Sequence, residues 1–165
     1  MKGPSGKNPG RVLGEALRER GLTLAVAESC TGGLLSAMIT EMPGSSEYFI
    51  GGVVAYANDV KRKLLGVRAV TLKGRGAVSS AAAGEMAEGI RERLKADAGV
   101  SITGIAGPGG GSAKKPVGTV FIAVSYGGRT KVKKFLFEGG RKAVRRAAAL
   151  AAMEETLLLL GAGKA

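Results

Sequence analysis

Histidine is absent from the chain, and cysteine occurs once, at Cys30. Without histidine the protein lacks the commonest transition-metal ligand and the usual general base of serine and cysteine hydrolases. Acid–base chemistry must then run on Lys, Tyr, Asp or Glu. A lone cysteine forms no intramolecular disulfide and builds no thiolate cluster for a metal, which suits a reducing cytoplasm. Aromatic residues make up only 4% of the sequence, leaving few rings to stack on unpaired bases. No run of eighteen apolar residues occurs. Residues 1–11 are polar, with neither the apolar stretch of a secretion signal nor the pattern of a transit peptide. The sequence therefore predicts a cytoplasmic protein with no membrane partner.

What is present is a chain of 165 residues, 45% of them hydrophobic, the size of one ordinary domain with one core. Residues 1–10 read as a flexible tail and 11–165 as a single domain. Asn8-Pro9 supplies an N-cap and a proline at the first helical position of a helix that Gly21 ends. Apolar runs at 22–27, 49–56 and 100–105 read as buried strands. The segments 117–126 and 131–137 read as a hairpin turned by Gly127-Gly128. Helical spacing covers 34–39, Asn58–Leu65, 81–95 (capped by Ser79 or Ser80) and 141–160. This alternation predicts an α/β fold, a three-layer α/β/α sandwich. Its mixed, mostly parallel five-stranded sheet includes one antiparallel hairpin strand. The formal charge of +12 suits an anionic partner. The Lys and Arg residues are nevertheless scattered over helices and turns, which favours a solvated basic surface over a nucleic-acid footprint. Oligomeric state is not encoded in any pattern here, and a homo-oligomer stays open.

The chemistry-bearing segment is Glu28-Ser29-Cys30-Thr31-Gly32-Gly33, a loop leaving a strand and entering a helix, where open α/β sheets place ligands. Ser29 would stand at the helix entrance. The amides near Thr31, Gly32 and Gly33 could hold a developing oxyanion there. The plainer reading makes Ser29 or Thr31 an N-cap and the glycines turn residues. Cys30 competes as nucleophile but has no histidine to activate it. A serine without histidine calls for a different base, such as a desolvated lysine. Lys61 meets that need if the short helix packs through Val60, Leu64 and Leu65; otherwise it is a surface lysine. The Gly-rich stretch from Thr103 through Gly104 and Gly107 to Gly111 could cradle a phosphate or simply turn the chain, and it matches neither a P-loop nor a dinucleotide fingerprint. Arg141 and Arg145, four apart on the last helix, could clamp a phosphate or form an ordinary solvated pair.

Together, AESCTGG at 27–33, PGSS at 43–46, GGVVAYANDVK at 51–61, GAVS at 76–79, TGIAGPGGG at 103–111 and KPVGTV at 115–120 resemble the C-terminal domain of the competence/damage-inducible CinA family. Stand-alone members of that family are nicotinamide mononucleotide deamidases. The resemblance implies hydrolysis of nicotinamide mononucleotide to nicotinate mononucleotide and ammonia, a step of NAD recycling, with a small nucleotide as partner and neither metal nor cofactor. It implies Ser29 as nucleophile and Lys61 as base. Tyr56, Ser46 and Thr103 would be polar residues around them, with Tyr56 or Lys61 protonating the departing ammonia, and Arg141 or Arg145 would lie near the phosphate. It covers about residues 11–160. Lys114 stands where relatives often carry Glu, and Gly140 where Asp is common. The larger N-terminal domain of longer relatives has no counterpart, so its activity is not expected. The competing expectations are a non-catalytic basic module binding nucleotide or nucleic acid, and an amidase for another small amide.

Overall fold

The computed structural model describes residues 8–161. In chain order the elements are α1 (Pro9–Glu19), β1 (Leu24–Glu28), α2 (Leu34–Thr40), β2 (Phe49–Val54), α3 (Asn58–Leu65), α4 (Ala69–Gly74), α5 (Ser80–Arg93), β3 (Ala98–Gly104), β4 (Thr119–Tyr126), β5 (Arg129–Leu136) and α6 (Arg141–Gly161). The strands form one sheet in the order β2-β1-β3-β4-β5. β1 pairs in parallel with β2 and β3, whereas β4 runs antiparallel to β3 and β5. The expected mixed sheet with one reversed strand is what forms.

From β1 the chain goes outward to β2 and then returns to place β3 on the other side of β1. This reversal opens a crevice beyond the carboxyl ends of β1 and β3, the general location of ligand sites in such sheets. The two faces of the sheet differ in bulk. Val26, Val100, Ile102, Val120 and Ile122 join α1, α2 and α6 in one large core. The opposite face presents Ala25, Ala27, Gly99, Ser101 and Ala123 to α5 and its neighbours. Small residues let α5 lie close to the strands. Ser101 Oγ donates to the Ala83 carbonyl at 2.6 Å, and a Cβ on Gly99 would collide with the Ala87 carbonyl.

Asn8 caps α1 through a side-chain bond from the Gly10 amide, with Pro9 at the first position, as the sequence predicts. Helix therefore includes Pro9 and Gly10, with Asn8 as its cap, all three within the expected tail; residues 1–7 of that tail lie outside the described residues. Two other expectations are corrected, and one helix is added. β1 starts two residues later than position 22. β2 is an edge strand rather than a buried one, with Ile50 and Val54 half exposed; an apolar run cannot tell a central strand from an edge strand with one covered face. The helix α4 was not anticipated because its six residues are too few to show a period and no side chain caps it. Among the described residues no helix is long and apolar enough to cross a membrane.

α3 crosses α5 where a Cβ on Gly89 would overlap the Leu65 backbone carbonyl. Backbone cannot swing aside, so Gly89→Ala should lower unfolding free energy by about 2–3 kcal/mol in urea titration. An unchanged midpoint would show that the two helices separate freely.

Candidate active site

Ser29 follows β1 directly, and its amide donates to the Ile102 carbonyl at 2.9 Å, which ties the residue to the end of β3. The preceding Glu28 is fully buried. Its carboxylate accepts from the amides of Gly33 (3.1 Å), Leu35 (3.0 Å) and Ser36 (2.8 Å) and from the Ser36 hydroxyl (2.7 Å). Glu28 thus satisfies the first turn of α2 from the strand side, in place of a conventional N-cap side chain. Gly32 donates back to the Ser29 carbonyl at 3.1 Å. Gly32 and Gly33 hold φ of 59° and 92°, values that favour glycine.

These bonds correct the expected oxyanion cradle at Thr31, Gly32 and Gly33. The Gly32 and Gly33 amides are spent on protein oxygens, and Thr31 is fully buried beneath the loop. Both glycines serve the turn. Beside the serine, the amide of Cys30 donates to no oxygen among the described residues and faces only its own thiol sulfur, and Cys30 lines the cleft. Burial pushes the Cys30 thiol up to about 11, so it stays protonated near neutrality and is a poor nucleophile.

Lys61 enters from the first turns of α3 and is only 1% exposed. Its Nζ lies 2.9 Å from Ser29 Oγ, 2.6 Å from the Ala55 carbonyl and 3.2 Å from the Tyr56 carbonyl. Desolvation lowers its pKa from the ordinary lysine value of 10.5. A neutral amine has two hydrogens and one lone pair. The two carbonyls can take the hydrogens, which leaves the lone pair toward Ser29 Oγ–H.

The cleft above this pair has a volume of about 290 Å³, near the small end for small-molecule sites. Its walls are the Gly-rich loop with Gly104 and Gly107, the Ala77-Val78 segment, and the Tyr56 and Arg141 side chains. Arg141 donates to the Gly107 carbonyl and to the Tyr56 hydroxyl, both at 2.9 Å, and ties the two rims together. Thr103 is buried below the cleft and donates to the Ala77 carbonyl at 2.8 Å. A larger hollow of about 480 Å³ lies between α3 and α5, but its Arg68 and Glu85 are paired with each other and it holds no nucleophile.

Two other expectations fall away. Arg145 is not in the cleft; its Nε and Nη2 clasp the Thr31 carbonyl at 3.1 and 2.6 Å. One helical turn separates it from Arg141, enough to direct the two guanidiniums to different loops. Ser46 is exposed in the short turn Ser45–Glu47 ahead of β2. Since β2 runs parallel to β1, Ser46 lies at the opposite end of the strands from Ser29, roughly 15 Å away at the usual strand rise. Conversely, Glu28, Asn58, Ala77 and Val78 belong to the site or its frame without having been singled out. Only the GAVS match hinted at the last two.

The family model for the CinA C-terminal domain matches residues 8–160. The chain belongs to the CinA C-terminal domain family. It is 51% identical over 143 residues to a CinA-like protein of Thermotoga maritima, which covers 87% of this chain and 35% of that protein. A CinA-like protein of Synechocystis is 60% identical over 114 residues, covering 69% of this chain and 27% of that one. The chain thus spans about a third of the length of the curated relatives it matches. Among solved structures, the competence/damage inducible protein CihA from Agrobacterium tumefaciens superposes with a TM-score of 0.89 at 42% identity, covering 93% of each chain. A CinA superfamily protein of Escherichia coli gives a TM-score of 0.89 at 34% identity, covering 92% of this chain and 88% of that one.

Glu28→Gln keeps the shape but turns an NH2 group toward amide donors. It should cost roughly 2–3 kcal/mol of stability in denaturant unfolding. A loss below about 0.5 kcal/mol, the scatter of neutral substitutions, would remove Glu28 from its capping role.

Proposed function

We propose that this CinA-family domain is an amidase that hydrolyses nicotinamide mononucleotide to nicotinate mononucleotide and ammonia through an acyl-enzyme on Ser29. The observation that carries the proposal is the buried Lys61 amine 2.9 Å from Ser29 Oγ at the floor of an open cleft. Such a pair needs no histidine. The substrate is supported by the family resemblance and by the Arg141 guanidinium at the mouth, suited to a phosphate.

In the proposed reaction, Lys61 takes the Ser29 hydroxyl proton as Oγ attacks the carboxamide carbon. The carbonyl oxygen becomes an oxyanion beside the Cys30 amide, the residue after the nucleophile being a common donor for that charge. The Lys61 ammonium returns its proton to the amide nitrogen as the C–N bond breaks, and ammonia leaves. Water then attacks the ester, giving its proton to Lys61, and the carboxylate departs as Ser29 regains its hydrogen. Tyr56 was expected to share proton delivery. Its hydroxyl is instead bound to Arg141 at an exposed rim, while its backbone carbonyl holds Lys61. We therefore assign the proton steps to Lys61 and the rim to Tyr56.

Ser29→Ala should abolish ammonia release from nicotinamide mononucleotide while leaving thermal unfolding nearly unchanged. Turnover within a few-fold of the parent would overturn the acyl-enzyme. Absence of ammonia release by the parent, combined with salt-dependent DNA binding, would replace the amidase by a binding module.

Lys61→Arg preserves positive charge but not a removable proton, so kcat should fall by at least about 100-fold, the usual share of a general base. In the parent, the protonated form of Lys61 cannot accept the serine proton. kcat/KM should therefore rise with pH through an ionisation below 10.5. A profile flat across that range, or an undiminished Lys61→Arg variant, would assign the base elsewhere.

A further inference from the structure

The segment between α4 and α5 has a side chain on each of four successive carbonyls. Lys115 Nζ donates to Arg75 O at 3.2 Å and Val78 O at 2.6 Å. Ser79 Oγ donates to Gly76 O at 2.8 Å, and Thr103 Oγ1 to Ala77 O at 2.8 Å. In a trans peptide the N–H points opposite the preceding carbonyl. Fixing the carbonyls of Gly76 and Ala77 therefore fixes the N–H directions of Ala77 and Val78. No oxygen among the described residues accepts from either amide, and both residues line the cleft that contains Ser29 and Lys61. Two consecutive uncommitted N–H groups beside an ammonium suit an anionic oxygen.

We propose that Lys115 is a positioning residue of the active cleft. Acting through residues 75–78, it holds the Ala77 and Val78 amides where they receive the anionic group of the substrate. This rests on the amidase reading, under which the only anionic group of the substrate is the nucleotide phosphate. Lys115 itself comes from the loop facing this segment, anchored by a turn in which Ser112 and Lys115 exchange backbone bonds of 2.9 and 3.2 Å. The strap thus joins two walls of the cleft that no strand connects.

The test compares the parent, Lys115→Met and Lys115→Arg on nicotinamide mononucleotide and on the riboside that lacks the phosphate. Lys115→Met should raise KM for the nucleotide about tenfold, the equivalent of one lost hydrogen bond, with kcat within about twofold. Riboside kinetics should not change, and Lys115→Arg, which can still donate to both carbonyls, should recover most of the loss. Titration with inorganic phosphate, followed by amide NMR, should move the Ala77 and Val78 resonances saturably in the parent and about tenfold more weakly in Lys115→Met. Equal KM increases for nucleotide and riboside, or phosphate shifts that bypass Ala77 and Val78, would overturn the assignment. If the parent releases no ammonia yet phosphate still moves those two amides in a Lys115-dependent manner, the amidase reading fails and the Lys115 assignment stands. If the parent is active and Lys115→Met is indistinguishable from it by both measurements, the reverse holds.

Discussion

A lysine amine shut away from water against a serine hydroxyl is the constraint around which the rest of the molecule is arranged. An ammonium at 1% exposure loses most of its hydration, which is unfavourable unless the group is neutral or held by strong acceptors. Both conditions are supplied by backbone. The chain leaves β2 through Ala55 and Tyr56, offers their carbonyls to Nζ, and turns at once into α3, which brings Lys61 back over them. Leu65, at the far end of the same short helix, is buried against the α5 side of the sheet and fixes its roll. Packing between α3 and α5 thereby helps set the 2.9 Å contact between Nζ and Oγ.

The serine side of the pair is rigid for a different reason. Glu28 occupies the α2 amides that would otherwise turn to solvent or substrate, and Arg145 holds the Thr31 carbonyl from α6. Both partners of the pair are thus set by hydrogen bonds to backbone rather than by contacts between flexible side chains. The unequal faces of the sheet complete the frame. Bulky residues under α1, α2 and α6 supply most of the apolar burial. The small and hydroxyl-bearing face lets α5 approach, and Ser101 and Thr103 fasten α5 and the segment before it to β3. Of the basic residues behind the net charge of +12, Lys61 and Arg141 line the cleft.

Much of this was legible in the sequence where local signals were complete. Asn58–Leu65 reads directly because its apolar period is bracketed by a strand and by Gly66, but that period left Lys61 either inward or on the surface. The helix packs through Leu65 while Leu64 is half exposed, and Lys61 does turn inward. The hairpin follows from Gly127-Gly128. What could not be read depends on where elements lie relative to one another. The cap on α2 comes from a strand residue five to eight positions earlier, outside any capping pattern. Whether β2 is central or at the edge, and therefore whether its valines are covered, is decided by strand order. The same strand direction sends Ser46 to the wrong end of the sheet. Arg141 and Arg145 share a helix face, and only the positions of the neighbouring loops separate their roles. Lys115 was legible as part of KPVGTV, but its acceptors are some forty residues away.

The central claim is that Lys61 is held as a proton acceptor for Ser29, and its own titration tests that most directly. NMR of the protein with isotopically labelled lysine, assigned by comparison with Lys61→Arg, reports the protonation of each amine as pH is raised. The account predicts one lysine, Lys61, losing its proton before the others, with Ser29→Ala leaving that early titration in place because burial is its main cause. A Lys61 resonance that titrates together with the exposed lysines would contradict it.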